Sequence, residues 1–377
     1  MAAITRRVWF VPNAGALSNL VIKEEQLPPP AADEVRVKVH SIGLNFADVF
    51  SVLGLYEAAP KTNLVPGLEF AGVVETPGGG FKVGDRVLGT VRFGAYASHL
   101  NVNPLYLRHS PNGWSFEEAA SFLIQSLTAI YAIRELAALK PGSTVLVQSA
   151  AGGVGLQALR ILEAMPNVSV LGVVGSPSKL KFLNDTFPPA KNNEDPNAKR
   201  KNWRFISRAE TGSEFAAQMS DYISSHPTLT GFDLILDSVA GPYFHPMYAA
   251  MNPAGRHVIF GAASLAPATL DLTPRLSFLS PVNLFRAIKL GYKYSMRPRV
   301  DPMKLMGDNK AVMGFNLIWL YDKAELLSGL YGELERLNLK PPHVGHRFDF
   351  EEMPAALALF QSGSTVGKVV INVKHDN

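Results

Sequence analysis

Residues 34–45 (EVRVKVHSIGLN) alternate apolar and polar side chains at period two, the pattern of a strand with one buried face. Before them, Arg6 and Arg7 lead into a short apolar run at 8–11 (VWFV) that also reads as a strand. Residues 67–76 (GLEFAGVVET), 84–91 (GDRVLGTV) and 94–103 (GAYASHLNVN) follow at close spacing, divided by glycine-rich turns. Short strands separated by turn signals predict a small barrel or sandwich for this part of the chain. A helical stretch at 116–138 then runs into the turn pair Pro141-Gly142.

From Ser143 the rhythm changes to strand–helix alternation. Residues 168–175 (VSVLGVVG), 232–238 (FDLILDS) and 255–263 (GRHVIFGAA) are near-continuous apolar runs of strand length, and 143–149 is another strand. Between them, Val154, Ala158, Ile161 and Leu162 fall at helical spacing. Apolar runs of this kind suit parallel strands buried on both faces, which predicts a doubly wound α/β sheet. Two stretches interrupt it: 185–203 is polar and proline-bearing and reads as a surface insertion, and 276–299 mixes aromatics with Arg286, Lys289, Lys293, Arg297 and Arg299. The second reads as an amphipathic helix over a cleft, or more sharply as a docking surface for a membrane. The run at 367–373 (GKVVINV) is a last strand.

At 377 residues the chain is long enough for two domains. Its surplus of four positive charges, without a polybasic tract, suits small anionic ligands and does not call for nucleic acid. There is no cysteine, so disulfides and cysteine-ligated metal sites are excluded. The longest apolar stretch, 119–133, is interrupted by Gln125, Ser126 and Thr128, and reads as a buried helix rather than a membrane span. With no secretory apolar region after Met1, a reduced, cytoplasmic protein is expected.

The chemistry begins at 149–155 (SAAGGVG), a glycine loop between a strand and a helix. Such a loop lets backbone approach a pyrophosphate, and the helix N-terminus offers free N–H groups. Ala151, Gly152, Gly153, Val154 and Gly155 are the candidate cradle, with an alanine in place of the first glycine of the usual motif; the plainer reading is a tight turn without ligand. The next strand ends at 174–179 (VGSPSK), where an NAD enzyme places an acid for the ribose hydroxyls. No acid is present. Ser176, Ser178 and Lys179, with Arg208 after the following strand at 204–207, suit a 2′-phosphate, hence NADPH.

Taken in order, GLNFADVF, PGLEFAGVV, VGDRV, GAYASH, SAAGGVG, GSPSK and GKVV span nearly the whole chain and resemble the zinc-free quinone oxidoreductase branch of the medium-chain dehydrogenase/reductases. Within it, 309–320 (NKAVMGFNLIWL) is similar to the vesicle amine transport protein-like members. The resemblance implies a GroES-like catalytic domain at 1–127 and 319–377 and a Rossmann NADP(H)-binding domain at 128–318. It also implies a homodimer formed through the last Rossmann strand, around 312–317. Where zinc relatives carry a cysteine and a His-Glu pair, this chain has Asn45 and Leu68-Glu69, so no metal is expected. His343 and His346, the one imaginable ligand pair, read as a surface turn.

By the same resemblance, Asn45, Asp48 and Tyr56 line the nicotinamide end as catalytic candidates, and Thr128 joins them from the linking helix. Asn45 is placed to hydrogen-bond the developing oxyanion or the carboxamide, Tyr56 to donate a proton, and Asp48 to orient its neighbours. Plainer readings stand beside these: Asp48 as a helix cap, Tyr56 as loop packing. Ser238, Phe260 and Gly261 end later strands on the ligand edge, Phe315 and Asn316 follow the last one, and Lys368 either reaches the cofactor or ties the domains. The chain departs from the family at 362–364, where Ser-Gly-Ser replaces a phosphate-binding arginine of some relatives. Without a metal, hydride must go to an acceptor that delocalises the arriving charge, such as a quinone or an α,β-unsaturated carbonyl. The competing expectation is an NADPH-binding scaffold or membrane-associated adaptor with little turnover, motivated by 276–299.

Overall fold

The structure is a computed structural model that describes residues 3–188, 200, 202–265 and 297–375, together with Ile288, Gly291 and Ser295. The insertion expected at 185–203 and the basic-aromatic stretch at 276–299 fall mostly outside the described residues, Arg286, Lys289 and Lys293 among them.

Strands β1 (Ile4–Asn13), β2 (Val21–Leu27), β3 (Val35–Gly43), β4 (Thr62–Leu64), β5 (Glu69–Thr76), β6 (Arg86–Thr90), β7 (His99–Val102) and β8 (Leu107–His109) build the β-rich half. Two late strands, β15 (Val344–Asp349) and β16 (Lys368–Asn372), return to it, giving the order β15-β16-β3-β5-β6-β8 beside a smaller sheet β2-β1-β4. Strand β3 is the spine. Its start pairs with β7, its end with β16, and its other edge with β5. The period-two pattern is realised on the core face, where Val35, Val37 and Val39 are fully buried. The opposite face is covered as well: buried Arg36 spends its guanidinium on Asn101 and on the Pro28 carbonyl.

The second half is a parallel sheet of β9 (Thr144–Gln148), β10 (Ser169–Val174), β11 (Trp203–Ser207), β12 (Phe232–Asp237), β13 (Met251–Ile259) and β14 (Ala311–Gly314). Their spatial order, β11-β10-β9-β12-β13-β14, reverses direction between β9 and β12, as in dinucleotide-binding doubly wound sheets. Every residue of β9 and β10 is buried, which is why their sequences are apolar without alternation. One face of the sheet packs Leu146, Leu171 and Ile235 against Phe215 and Tyr222; the other packs Val145, Val147 and Val170 with Leu156 and Leu159.

Three expectations need correcting. The helical stretch 116–138 is three pieces: α2 (Phe116–Ala119), α3 (Leu123–Ile130) and a π-helical turn at Tyr131–Leu136. The break has a cause, because the Ile124 amide at the start of α3 donates to the Glu69 carboxylate instead of continuing α2. The strand expected over 255–263 begins earlier and ends at Ile259. The segment holding His343 and His346 is no surface turn: β15 starts at Val344, and the His343 ring packs on Phe182, 4.7 Å between centroids.

Leu171 is fully buried in the middle of β10. Leu171→Ala is expected to cost about 3 kcal/mol, read as a fall in the urea midpoint; a change under about 1 kcal/mol would contradict its place in the sheet core.

Candidate functional site

The glycine loop leaves β9 through Ser149, which has φ 50°, and enters α4 (Gly153–Glu163) with Gly152 at the N-cap position. No described side chain caps this helix, whose N-terminus carries the positive end of the helix dipole and suits an anion. Gly155 is required by packing, since a Cβ there would sit 2.5 Å from the Ser149 carbonyl oxygen. A Cβ on Gly153 would meet Gln125 at 2.8 Å and Lys368 at 3.0 Å. The buried Ala151 accepts a hydrogen bond at 2.8 Å from the Gly367 amide, so the loop is stitched directly to the β-rich half.

At the end of β10 the structure brings together the four residues assigned to a 2′-phosphate. Ser176 is the N-cap residue of α5 (Pro177–Thr186), and its hydroxyl lies 3.1 Å from that of Ser178. Lys179 donates to the Gly363 carbonyl at 2.5 Å, and its pKa is lowered by burial and then by the charge of Arg208. Arg208 donates to Gln148 at 3.0 Å and lies 4.4 Å over the Tyr243 ring. The departure at 362–364 thus sits against Lys179, with the Ser362 and Ser364 hydroxyls 2.7 Å apart. A Cβ on Gly175 would have nothing within 4 Å, so this side is open to a ligand.

The cleft between the halves carries the remaining candidates. The Tyr56 hydroxyl donates to Asn316 at 2.6 Å, joining the β-rich half to the segment after β14. Burial pushes the Tyr56 phenol up to about 12, so it stays protonated at neutral pH. Phe315 packs edge-on to Tyr131 at 4.9 Å and lies 6.1 Å from Phe260. Ser238 and Gly261 are in contact at the C-terminal edge of β12 and β13, and the Ser238 hydroxyl is buried without a partner among the described residues. Thr128, nearly buried on α3, donates to the Ile124 carbonyl.

Below them lies a polar network centred on Glu69, only 1% exposed. One carboxylate oxygen accepts from Lys368 at 2.8 Å and from the Asn45 and Gln125 amides, each at 3.0 Å; the other accepts from the Ile124 amide at 3.1 Å. A cation needs acceptors, and this position is ringed with donors. Lys368 donates also to Leu44 and Asn45, so its ammonium ties parts of the fold together rather than pointing into open space. Asn45 donates to the Gly43 carbonyl as well as to Glu69, which commits both amide hydrogens that were assigned to an oxyanion or a carboxamide. Glu69 and Gln125 are the site residues the sequence reading passed over. The visible signals were an acid beside a missing histidine and a glutamine inside an apolar helix.

Asp48 is a helix cap, the plainer of the readings given for it. It closes a capping box at α1 (Phe46–Val52) by accepting from the Asn45 amide at 2.8 Å, and it accepts from the Tyr96 hydroxyl at 3.0 Å. Burial, opposed by these hydrogen bonds and by the charge of Lys368, raises its pKa to about 7. The folded state therefore holds this proton more tightly than the unfolded chain, so the contribution to stability is complete below about pH 4 and lost as pH rises through about 7. Asp48→Asn cannot ionise and keeps an oxygen for both donors. The variant is expected to gain on the parent by on the order of 4 kcal/mol between pH 4 and pH 8 in urea titrations. Parallel pH profiles would show that Asp48 does not titrate in this range.

Residues 31–104 match the family model described as the alcohol dehydrogenase GroES-like domain, and residues 216–371 the one described as zinc-binding dehydrogenase. The human synaptic vesicle membrane protein VAT-1 homolog is 29% identical over 356 residues, 91% of this chain and 80% of its own. The quinone oxidoreductase of Thermus thermophilus, solved also in complex with NADPH, is 27% identical with a TM-score of 0.69, covering 97% of this chain and 99% of that one. The CurK enoyl reductase is 25% identical with a TM-score of 0.74, covering 98% and 99%. With Asn45 and Leu68 where zinc relatives carry ligands, the chain belongs to the medium-chain dehydrogenase/reductases, in their zinc-free, quinone oxidoreductase-like branch.

Proposed function

We propose that this oxidoreductase is an NADPH-dependent reductase that passes hydride to quinones or α,β-unsaturated carbonyls without a metal. The observation that carries the reading is the pairing of an uncapped helix N-terminus at Gly153 with Ser176, Ser178, Lys179 and Arg208 at the end of the next strand. The NADPH complex of the Thermus enzyme supports it. Bound NADPH would supply the hydride. The amides of Gly153, Val154 and Gly155 would hold its pyrophosphate, and Lys179 and Arg208 its 2′-phosphate. Ser238, Phe260, Gly261, Phe315 and Asn316 would border the nicotinamide, with Thr128 on the facing helix.

Tyr56 is the one hydroxyl among the catalytic candidates, protonated because burial raises its pKa; its single hydrogen goes to Asn316, and it would turn from that partner to serve a substrate oxygen. A phenol offers a substrate oxygen far less stabilisation than a metal ion would. The fitting substrate is therefore one whose new charge spreads by conjugation onto a distant oxygen, which then takes a proton to give a hydroquinone or an enol. Asp48 and Asn45 hold the backbone of α1 in place beside it.

Sheet membership supports domains at 1–127 with 319–377 and at 128–318. Strand β14 pairs with β13 alone among the described residues, and its open edge would join two copies into a homodimer. A monomer mass by light scattering at micromolar concentration would remove the dimer. A cytoplasmic location is part of the same reading. The scaffold or membrane-adaptor alternative draws on the vesicle-membrane name of the VAT-1 relatives; no helix among the described residues is long and apolar enough to cross a membrane.

Consumption of NADPH but not NADH is expected with an ortho-quinone, a para-quinone or an alkenal. Lys179→Ala and Arg208→Ala should each raise the KM for NADPH about ten-fold, as expected for losing a charge-assisted contact. Equal use of NADH would overturn the 2′-phosphate assignment. Tight NADPH binding without turnover on any acceptor would favour the scaffold.

A further inference from the structure

Gln125 is 3% exposed, and its side chain is used on one side only. Its amide nitrogen donates to Asn45 Oδ1 at 2.6 Å and to Glu69 Oε1 at 3.0 Å, whereas its own Oε1 is buried with no partner among the described residues. Turning the amide over does not remove the orphan. It would set the oxygen against a carboxylate and a carbonyl oxygen, and Asn45 is itself held in orientation by donating to Glu69 and accepting from Lys368. A buried acceptor left unpaired costs roughly 1–3 kcal/mol, so the atom calls for a donor that none of the described residues supplies.

The place of the side chain says which donor. Gln125 Cγ lies 2.8 Å from where a Cβ on Gly153 would be, so the amide lies directly beside the first residue of α4. Phosphate oxygens held at that helix end are acceptors and cannot satisfy another acceptor. The nearest donors on a dinucleotide are the hydroxyls of the sugars joined to the pyrophosphate. Ser176, Ser178, Lys179 and Arg208 claim the adenosine side, whereas Gln125 belongs to α3, the helix that carries Thr128 toward the other end.

We propose that Gln125 Oε1 accepts a hydrogen bond from a hydroxyl of the nicotinamide ribose, with Glu69 as the positioning residue that fixes the amide for it. The proposal rests on the glycine loop being a dinucleotide cradle. It makes Gln125 a binding residue for the half of the cofactor that 2′,5′-ADP lacks.

The test is equilibrium titration by calorimetry of the full chain with NADPH and, separately, with 2′,5′-ADP. Gln125→Met, close in length and unable to accept this bond, is expected to weaken NADPH about ten-fold and leave 2′,5′-ADP unchanged. Unchanged NADPH affinity, or equal weakening of both ligands, overturns the assignment. If the variant does not fold, the parent protein decides. An NADPH analogue without hydroxyls on the nicotinamide ribose should bind about ten-fold more weakly than NADPH, and equal binding overturns the proposal. Failure of the parent to bind either NADPH or 2′,5′-ADP would instead be a failure of the cradle reading, visible before any variant is made.

Discussion

A carboxylate buried as deeply as Glu69 has to be surrounded by donors, and meeting that demand fixes where the two halves of this protein join. Its four donors come from three parts of the chain: Asn45 before α1, Ile124 and Gln125 at the start of α3, and Lys368 on β16. Removing one partner of such a pair typically costs 3–5 kcal/mol, although an apolar replacement of the whole group can be neutral. The network is therefore better understood as a device for geometry than as a source of stability. It sets the start of α3 and the stem of Lys368 against Gly153, so the floor of the cleft and the phosphate cradle share one wall.

Around that wall the work is divided. The parallel sheet supplies an edge with an open helix terminus, two cations and a row of short side chains, a surface for a long anionic ligand. The β-rich half supplies titratable groups under tight control. Asp48 and Tyr96 form one buried pair, and Tyr56 reaches across the cleft to Asn316. Burial raises the pKa of all three, which keeps the two phenols protonated as donors and brings the Asp48 carboxyl, an acceptor in both of its hydrogen bonds, to about 7.

Much of the framework was legible because it follows from local periodicity. Near-continuous apolar runs in β9, β10 and β12 report strands buried on both faces, alternation in β3 reports its core face though not the cover over the other, and the glycine loop reports a tight turn. The break between α2 and α3 was not legible, since the Glu69 carboxylate that receives the Ile124 amide comes from a strand far away in sequence. The commitment of both Asn45 amide hydrogens was hidden for the same reason. Gln125 carried a signal, a polar residue within an apolar helix, but only its neighbours make it distinct from Ser126 beside it. Long-range pairing of polar groups leaves no period in the chain, and that is where reading by pattern stops.

The position of β16 has a consequence for how the molecule is made. This strand, at Lys368–Asn372, lies between β15 and β3 in the middle of its sheet, and it carries the lysine that neutralises Glu69. A chain emerging from the ribosome N-terminus first can complete the parallel sheet once β14 is out, but β3 must wait with part of its edge bare. Until residue 368 arrives, the acid at the heart of the cleft has no counter-charge. Synthesis can thus close the parallel sheet first, and the β-rich half only when its last strand is out.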